Sequence, residues 1–294
     1  MDFQQITIVG VGLIGGSFAL AARQAGFGGR IVGCDRAGVL TEATRLLIID
    51  TGDEDPVRAT HGSDLILLAA PVCEILDALT CAPLFPAQAL ITDVGSTKSA
   101  IVERARLVLG EAAAERFLPG HPMAGKELSG VEQADPNLFQ GTVWLITPLA
   151  ARVSSSPSSS SADAPARPPR AAEFLALVQR MGARVVEIDL ERHDRLCAWI
   201  SHLPQMLATA LAATVDAEFG DDPELHSIGG RALREMTRIA SSPYSMWRDI
   251  ALTNAANISE ALERLEQRLA HLRHNLTTPE LEREFERAHR LKKR

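Results

Sequence analysis

The residue best suited to acid–base chemistry lies in the segment GHPMAGKELSGVEQADPNLFQG, residues 120–141. Its single histidine, His121, stands between a glycine and a proline in polar, turn-prone surroundings. Histidine titrates near neutral pH, so it can accept the hydroxyl proton when hydride is abstracted from a carbinol. A lone histidine is also common as a structural residue, so the residue types alone leave both roles open.

A glycine pattern near the N-terminus is suited to binding the cofactor of such a reaction. In ITIVGVGLIGGS, a GxGxxG pattern follows a strand-like run and opens a helix-like run. Such glycines permit a tight turn, close approach of the backbone to a pyrophosphate, and close packing of helix on strand. The pyrophosphate would sit on the helix N-terminus, whose free N–H groups and dipole favour an anion. The candidate cofactor contacts, here and at the end of DLILLAAP, are Gly10, Gly12, Leu13, Ile14, Gly15, Ala70 and Pro71.

Two neighbouring residues bear on the choice between NAD and NADP. Asp35 lies 20 residues past Gly15, the spacing at which an acid meets the ribose 2′-hydroxyl. Its carboxylate should repel a 2′-phosphate, which favours NAD. The adjacent Arg36 is able to pair with that phosphate, so NADP stays open.

Strand-like and helix-like runs alternate through the first half of the chain. The strand-like runs are ITIVG (6–10), RIVGCD (30–35), DLILLAAP (64–71) and ALITDVGS (89–96). Helices are expected over SFALAARQAG (17–26) and KSAIVERARLVLG (98–110). This alternation predicts an α/β, Rossmann-type dinucleotide-binding domain: a parallel sheet with helices on both faces. The His121 segment would then form a loop at the carboxyl ends of the strands, where ligands bind.

Residues 150–170 are dominated by serine, proline and alanine, and we expect them to be disordered. A helix-like run (171–182) and a strand-like run (183–189) follow, which favours a loop insertion within the first domain over a domain linker. The expected domains are therefore 1–190, which binds the dinucleotide, and 191–294.

After residue 190 the pattern is helical throughout, which predicts an all-helical second domain. One helix-like run carries apolar residues at alternating spacings of four and three, typical of a narrow packing face. This heptad stripe consists of Ile258, Leu262, Leu265, Leu269, Leu272 and Leu276. Packing within the chain or in a dimer is favoured over a free coiled coil.

Composition narrows the class of protein. The net charge of -7 and pI of about 5.7 argue against nucleic acid as the main partner. We find no apolar stretch of about 20 residues that would span a membrane, and no signal-type run before the first strand. The four cysteines form no CxxC pair and no zinc-site spacing, so we expect free thiols and no metal. A cytoplasmic protein is the expectation.

Several motifs together resemble one enzyme family. GHPMAGKELSGVEQADPNLFQGTVWLITP is similar to the catalytic segment of the prephenate and arogenate dehydrogenases of tyrosine biosynthesis. The same family is matched, in the same order, by GVGLIGGS, DVGSTK (93–98), HDRL (193–196), SHLPQ (201–205) and TRIASSPYSMWRDI (237–250). The resemblance covers nearly the whole chain except the serine tract.

The resemblance implies roles for individual residues. His121 matches the histidine that takes the proton from the ring C4 hydroxyl, and Ser96 the serine beside it and the nicotinamide. Arg238 matches an arginine that grips a substrate carboxylate, for which a planar guanidinium is suited. His193 stands where the family has a substrate-pocket histidine. A gate near the pocket is matched by Glu127, Glu235 and Trp247, with the tryptophan supplied by the partner subunit.

The family's chemistry and assembly are further expectations. Hydride would pass from C4 of a cyclohexadienol to NAD while His121 accepts the hydroxyl proton, and loss of CO2 would make the ring aromatic. No metal is needed for this reaction. The resemblance implies a homodimer formed through the helical domain, which agrees with the heptad stripe.

Two departures leave the substrate open between prephenate and arogenate. Many prephenate-using members have SHLPH, where this chain has Gln205, and often a small hydroxyl residue where it has Lys126. Both changes lie where a keto-acid or amino-acid side chain would bind; we expect prephenate. His202 of SHLPQ is as suited to helix packing as to pocket contact. The alternatives are a dehydrogenase of another hydroxy acid or imine, and a nucleotide sensor without catalysis.

Overall fold

The computed structural model describes residues 3–126, 128–149, 167–228 and 230–293. Within them, a six-stranded parallel sheet forms the first half of the chain. Its strands are Gln5–Val9 (β1), Arg30–Cys34 (β2), Thr51–Gly52 (β3), Leu65–Leu68 (β4), Leu90–Asp93 (β5) and Phe117–Leu118 (β6). Their order is β3-β2-β1-β4-β5-β6, so the direction of winding reverses between β1 and β4. In such sheets the ligand crevice lies outside the carboxyl ends of the strands at that reversal.

Helices cover both faces of this sheet, as the sequence predicts. They are Leu13–Gln24 (α1), Ala37–Arg45 (α2), Pro56–Ala59 (α3), Val72–Thr80 (α4), Ser99–Leu109 (α5), Ala113–Arg116 (α6) and Ala171–Arg180 (α7). All four residues of β4 are buried. Leu65 and Leu67 join the core beneath α1 and α7, while Ile66 and Leu68 join the core beneath α4 and α5. A strand covered on both faces must be apolar at every position, which explains its unbroken apolar run.

A second, three-stranded sheet was not expected from the sequence. It contains Gly120–Pro122 (β7), Val143–Ile146 (β8) and Arg184–Glu187 (β9), with β7 antiparallel and β9 parallel to β8. His121 therefore lies on a short strand, and the expectation that its segment is entirely loop was wrong. The reason is that a three-residue strand carries too little periodicity to detect. Trp144 of β8 packs between Phe18 and Phe174, which joins this sheet to the core of the large one.

The second half of the described chain is helical. Its helices are Leu190–Cys197 (α8), Leu203–Phe219 (α9), Pro223–Ile228 (α10), Arg231–Thr237 (α11), Tyr244–Thr253 (α12), Ala255–His274 (α13) and Glu280–Lys292 (α14). Along the heptad stripe on α13, Ile258 is buried and Leu262, Leu265 and Leu272 are half-buried. Leu269 and Leu276 are 49% and 62% exposed, so a single chain covers only part of the stripe.

Helices α8 and α9 are continuous through one π-helical turn, Ala198–His202. Pro204 lies in the first turn of α9 and has no N–H to continue the α-helical hydrogen bonds, which explains the wider turn. The resulting run, Leu190–Phe219, has a mean hydropathy of 1.2 over an 18-residue window and meets the length and composition of a membrane span. This corrects the expectation that the chain has no such stretch. The criterion is weak, because apolar helices that pack on protein also satisfy it.

Among the described residues, hydrogen bonds join the helical half to the carboxyl edge of the large sheet at three places. Thr97 and Thr253 share a hydrogen bond between their hydroxyls at 2.7 Å. The backbone N–H of Cys73, at the start of α4, donates to Asp249 of α12 at 3.0 Å. The third contact is made by Asp194 of α8, which accepts from the first N–H groups of α5. All three place helical residues beside the carboxyl ends of β4 and β5.

We predict that Gly15→Ala destabilises the fold. A Cβ at Gly15 would collide with the carbonyl oxygen of Gly10 and lie 2.9 Å from the Ile8 side chain. Overpacking of this kind costs about 1–3 kcal/mol of unfolding free energy, which urea denaturation measures. Gly28→Ala is the matched control, because a Cβ there meets nothing within 4 Å. Equal unfolding free energies for the two variants would contradict the prediction.

Candidate active site

His121 lies at the seam between the two sheets. In the antiparallel pairing of β7 with β8, His121 lies opposite Leu145. The N–H of the preceding Gly120 donates to Asp93 Oδ1 at 3.1 Å. Asp93 ends β5, so this bond ties the His121 strand to the carboxyl edge of the large sheet. The residue His121 is 8% exposed, so it lies at the edge of the buried interior.

A chain of hydrogen bonds fixes the tautomer of His121. Asp194 Oδ1 lies 2.9 Å from His193 Nδ1, and a carboxylate only accepts, so His193 carries its proton on Nδ1. Its Nε2 must then accept, and it lies 3.0 Å from His121 Nδ1. His121 therefore donates from Nδ1 and keeps a lone pair on Nε2. That is the tautomer that a general base needs.

The same chain decides what His193 can do. The side chain is fully buried, and both of its ring nitrogens are occupied, by Asp194 and His121. No ring nitrogen remains for a substrate. The sequence resemblance assigned His193 to the substrate pocket, whereas the geometry gives it the role of orienting His121.

Burial and hydrogen bonding shape the charges of this chain. Burial, together with the neighbouring His193 and Lys98, holds the pKa of His121 well below its usual value, so the base is neutral near pH 7. Burial alone would raise the pKa of Asp194. Hydrogen bonds from His193 and from the backbone of Lys98 and Ser99 instead lower it to about 2.

Asp194 is held at the N-terminus of α5. Its Oδ1 accepts from the N–H of Lys98 at 2.7 Å and its Oδ2 from the N–H of Ser99 at 2.9 Å. Helix N-termini stabilise anions through these free N–H groups and the helix dipole. The acidic residue of HDRL therefore docks the helical half on the DVGSTK segment.

A buried ion pair organises the DVGSTK segment around Ser96. The Lys98 ammonium donates to Asp93, and both side chains are completely buried. Asp93 Oδ2 also accepts from the N–H of Gly95 at 2.9 Å. Ser96 itself is half-buried in the turn that these bonds define. The turn and the His121 strand thus share one carboxylate.

Cys197 is a third member of the buried cluster that sequence reasoning missed. Its Sγ lies 3.7 Å from His193 Nε2 and 3.9 Å from His121 Nδ1. Burial raises the pKa of the thiol to about 12, so it is protonated at neutral pH and is neither base nor nucleophile there. His121 is 72 residues from His193 in the chain, which is why the spacing of histidines and cysteines did not reveal the cluster.

The glycine loop has the shape that a dinucleotide needs. Gly10 adopts φ 95°, and a Cβ there would lie 2.6 Å from the backbone nitrogen of Ala70. Gly12 precedes α1 without a side-chain cap, and a Cβ there would meet nothing within 4 Å. The N–H groups at the start of α1, at Leu13 and Ile14, are therefore left for an anion. A pyrophosphate fits this open ledge.

Asp35 and Arg36 lie beside that loop. Asp35 Oδ2 accepts from the N–H of Val11 at 2.8 Å, and Oδ1 accepts from the N–H of Arg36 at 2.8 Å. Each oxygen keeps lone pairs for a ribose hydroxyl. The Arg36 side chain is 91% exposed and only 3.9 Å from Asp35, so it extends into solvent. Pro71 precedes α4 in extended conformation and borders the same crevice next to Ala70.

Gln205 supports the turn that carries Arg238. Its amide nitrogen donates to the carbonyl of Ile239 at 2.9 Å and lies 3.3 Å from the Thr209 hydroxyl. Gln205 is 4% exposed, whereas Arg238 is exposed and opens the 3-10 turn Arg238–Ser241. The departure from SHLPH therefore has a structural role: its amide fixes the backbone next to Arg238.

The other sequence-predicted substrate residues are dispersed. Lys126 pairs with Asp135 at 2.9 Å, so its charge is met by a carboxylate of the chain itself. Glu235 pairs with Arg231 at 2.6 Å on an exposed helix face. Glu127 lies outside the described residues. Trp247 packs edge-on against His202 of its own chain, with ring centroids 5.9 Å apart, and its role in a partner's pocket stays a prediction.

The ring atoms His202 Nε2 and Trp247 Nε1 are both buried near the π-helical turn. His202 Nδ1 lies 3.3 Å from the amide nitrogen of Asn254, which can only donate, so the His202 proton sits on Nε2. Neither His202 Nε2 nor the Trp247 ring nitrogen has a hydrogen-bond partner among the described residues. Two neighbouring unpaired donors are suited to an anionic ligand.

Comparison with known proteins identifies the family. The description "prephenate dehydrogenase, nucleotide-binding domain" matches residues 18–155, and "prephenate dehydrogenase, dimerization domain" matches residues 189–290. The prephenate dehydrogenase of Lactococcus lactis subsp. cremoris is 31% identical over 93% of this chain and 72% of its own length. The chain belongs to the prephenate dehydrogenase family. The resemblance drawn from the sequence motifs is confirmed.

Solved structures of prephenate dehydrogenase relatives agree with this fold. That of Aquifex aeolicus prephenate dehydrogenase, in complex with hydroxyphenyl propionate and NAD+, has a TM-score of 0.82 at 31% identity and covers 100% of this chain and 96% of that one. Synechocystis arogenate dehydrogenase has a TM-score of 0.74 at 26% identity, covering 98% and 99%. A nucleotide-binding α/β unit followed by a helical unit is thereby confirmed.

We predict that Asp194→Asn lowers kcat of this dehydrogenase by about 10²-fold or more. The asparagine amide has one oxygen in place of two, so it cannot accept from Lys98, Ser99 and His193 together, and it carries no charge to support the positive charge that develops on His121. The base would be weakened while the NAD loop stays intact. Steady-state kinetics and NAD binding measure the two effects separately.

Asp189→Asn is the matched control, because Asp189 caps the same helix by accepting from Glu191 and Arg192. Asparagine is an equally good N-cap, so its kcat should stay near normal. A near-normal kcat for Asp194→Asn would refute the tautomer chain. A parallel loss of NAD binding would point to misfolding instead.

A second prediction concerns acid stability. Burial lowers the pKa of His202 from its usual 6.5 to about 4, so the folded chain binds fewer protons there than the unfolded chain between these values. The stabilising effect of neutral His202 is complete above pH 6.5 and is lost as the pH falls toward 4. The linked loss is about 2 kcal/mol at about pH 5.

His202→Asn should therefore lose less unfolding free energy between pH 8 and pH 5 than the wild type, measured by urea denaturation. The pKa values of His121 and His193 are also lowered by burial and contribute to the same window. Only the difference between variant and wild type belongs to His202. Identical losses in the two proteins would show that His202 is not a buried neutral group.

Proposed function

We propose that this chain is an NAD-dependent prephenate dehydrogenase, which oxidatively decarboxylates prephenate to 4-hydroxyphenylpyruvate in tyrosine biosynthesis. The observation that carries the proposal is the chain Asp194–His193–His121, which leaves an unprotonated Nε2 on a neutral histidine at the carboxyl edge of the sheet. Relatives named prephenate dehydrogenase in Lactococcus lactis and Bacillus subtilis, 31% and 32% identical, support it.

The chain's own residues divide the work. His121 Nε2 accepts the C4 hydroxyl proton of the substrate, and His193 holds the ring while Asp194 supports the positive charge that develops. Ser96, in the turn fixed by Asp93, borders the reacting carbon. NAD, when bound, supplies the hydride acceptor. Decarboxylation then makes the ring aromatic, which draws the reaction forward.

The substrate carboxylate is assigned to Arg238. Its guanidinium binds both oxygens of a carboxylate in plane, and Gln205 fixes the backbone of the turn that carries it. The unpaired donors of His202 and Trp247 lie near the same helices and offer further hydrogen bonds to an anionic substrate. Asp135 offsets the charge of Lys126, so Lys126 adds little net positive charge for a substrate carboxylate.

The proposed cofactor follows from Asp35, and the proposed substrate from the relatives that this chain is similar to. Asp35 accepts from Val11 of the glycine loop with Oδ2 and from the N–H of Arg36 with Oδ1, and its remaining lone pairs would accept from a ribose hydroxyl, which favours NAD over NADP. Prephenate is the preferred substrate in this proposal. Arogenate is the alternative, because the similar Synechocystis enzyme is named arogenate dehydrogenase and a Zymomonas mobilis relative cyclohexadienyl dehydrogenase.

We also infer a cytoplasmic homodimer formed through residues 191–294, with residues 1–190 binding NAD. The described helical half has a small core, built around Ala198, Ile250 and Ile258. Large apolar side chains are meanwhile exposed on α9, α12 and α13 and just after α13, including Phe219, Leu252, Leu269 and Leu276. A second copy that covers them would account for the apolar helical run without a membrane.

The deciding experiment is NADH formation by the purified protein with prephenate and with arogenate, each with NAD and with NADP. We expect turnover of prephenate with NAD. Turnover of arogenate alone would keep the mechanism and change the substrate. Turnover of neither would refute the proposed function.

His121→Asn is the mechanistic control in the same assay. Loss of a general base lowers the rate by roughly 10²–10⁴-fold, and NAD binding should be unchanged because the glycine loop is untouched. A variant that keeps the wild-type rate would remove His121 from the role of base.

A further inference from the structure

We propose that His121 Nδ1, His193 Nε2 and Cys197 Sγ form a binding site for a thiophilic divalent cation such as Zn²⁺, and that a cation bound there inhibits the enzyme. The three donor atoms lie within 4.8 Å of one another, and all three residues are buried. The inhibition rests on the proposed function, whereas the cation site itself does not.

The spacing of the donor atoms fits a zinc ion. The two nitrogens are 3.0 Å apart, and the sulfur lies 3.7 and 3.9 Å from them. Tetrahedral zinc, with bonds of about 2.0–2.1 Å to nitrogen and about 2.3 Å to sulfur, separates two nitrogens by about 3.3 Å and nitrogen from sulfur by about 3.6 Å. Shifts of a few tenths of an ångström, on the order of side-chain relaxation, bring all three atoms to these distances.

Secondary structure already positions two of the ligands. His193 and Cys197 are four residues apart on α8, so both side chains lie on one face of the helix. That face lies against β7, which carries His121. Three protein ligands leave a fourth coordination position, which water fills in open zinc sites.

The surroundings of His193 are those of a metal-bound histidine. Metal-ligating histidines donate their other ring N–H to a carboxylate or carbonyl, which fixes the tautomer and strengthens the ligand. His193 donates from Nδ1 to Asp194, leaving Nε2 as the donor atom for a cation. Asp194 is in turn held by two backbone N–H groups of α5. Its negative charge also offsets the charge of the cation.

The donor set decides which cations bind. Imidazole nitrogen and thiolate sulfur favour Zn²⁺ and related transition metals, while Mg²⁺ and Ca²⁺ require oxygen ligands. The thiol is protonated without metal, so binding must release the Cys197 proton to solvent. Of the three ligand residues His121 is the least buried, at 8% exposed, so we expect a cation to enter from its side of the cluster.

Inhibition follows from the tautomer of His121. A cation on Nδ1 takes the lone pair at that atom, so the ring proton must move to Nε2. Nε2 is the atom that accepts the substrate proton in the proposed mechanism. The bond from His121 to His193 is replaced by the cation at the same time. The base and the metal ligand are therefore mutually exclusive states of one ring.

The direct test is titration of the reduced, chelator-treated protein with Co²⁺ alone. We expect a thiolate-to-cobalt charge-transfer band in the near ultraviolet and the visible bands of four-coordinate cobalt, both abolished by Zn²⁺. Cys197→Ser should lose the charge-transfer band, since a serine hydroxyl is a poor ligand for either ion. Cys197→Ala is the second variant in case the serine does not fold.

Cys81→Ser is the matched control. Cys81 is a half-buried free thiol at the end of α4, and its Sγ lies 4.0 Å from the Thr80 hydroxyl, away from the His121 cluster. Its variant should keep the full cobalt spectrum. A spectrum without the thiolate band, or one that Cys197 variants leave unchanged, would overturn the proposal.

The activity arm separates the site from its consequence. Zn²⁺ should inhibit the wild-type enzyme. Cys197→Ala, measured against its own metal-free rate, should need over about 100-fold more Zn²⁺ for the same fractional inhibition, because losing a true ligand exceeds the about 10–100-fold effect of losing an outer partner. Cobalt binding without inhibition would refute the inhibitory role. Cobalt binding in a protein with no activity on either substrate would instead refute the proposed function and leave the site standing.

Discussion

The carboxylate of Asp194 is the constraint on which the rest of the site depends. It accepts two N–H groups at the start of α5 and one from His193, and it is almost completely buried. These three bonds do two things at once: they dock the helical half on the sheet and they set the tautomer of His121. One carboxylate therefore contributes both to the position of the helical half and to the protonation of the base.

Burial explains why the site uses neutral histidines beside ionic pairs. The Asp93–Lys98 pair is fully buried and compensates its own charge, with the remaining carboxylate oxygen bonded to Gly120. An additional charge without a partner would be costly to bury in that space, and burial accordingly lowers the pKa values of His121, His193 and His202. An imidazolium at His121 is thus a transient species. A product that becomes aromatic after decarboxylation allows such a weak base to suffice.

The parts of this structure that were predictable are those encoded over short stretches. The glycine pattern and the unbroken apolar run of β4 depend on neighbours within about one turn or strand, so they indicated the sheet, its helices and the NAD ledge. The tautomer chain was not predictable, because His121 and His193 are 72 residues apart and Asp194 and Lys98 are 96. For the same reason the bond from the Gln205 amide to the backbone at Ile239 was not predictable, and contact of Gln205 with the substrate stays a prediction.

The π-helical turn Ala198–His202 has a local cause in the sequence and consequences for contacts with residues distant in the chain. Pro204 makes the turn wide, and this is a local effect of the missing N–H. Its consequence is not local: the change of register places Cys197 and His193 toward β7 while His202 faces Trp247 and Asn254. A regular α-helix through these residues would rotate one group away from its partners. The irregular turn therefore allows one continuous helix to face both the proton acceptor and the proposed substrate pocket.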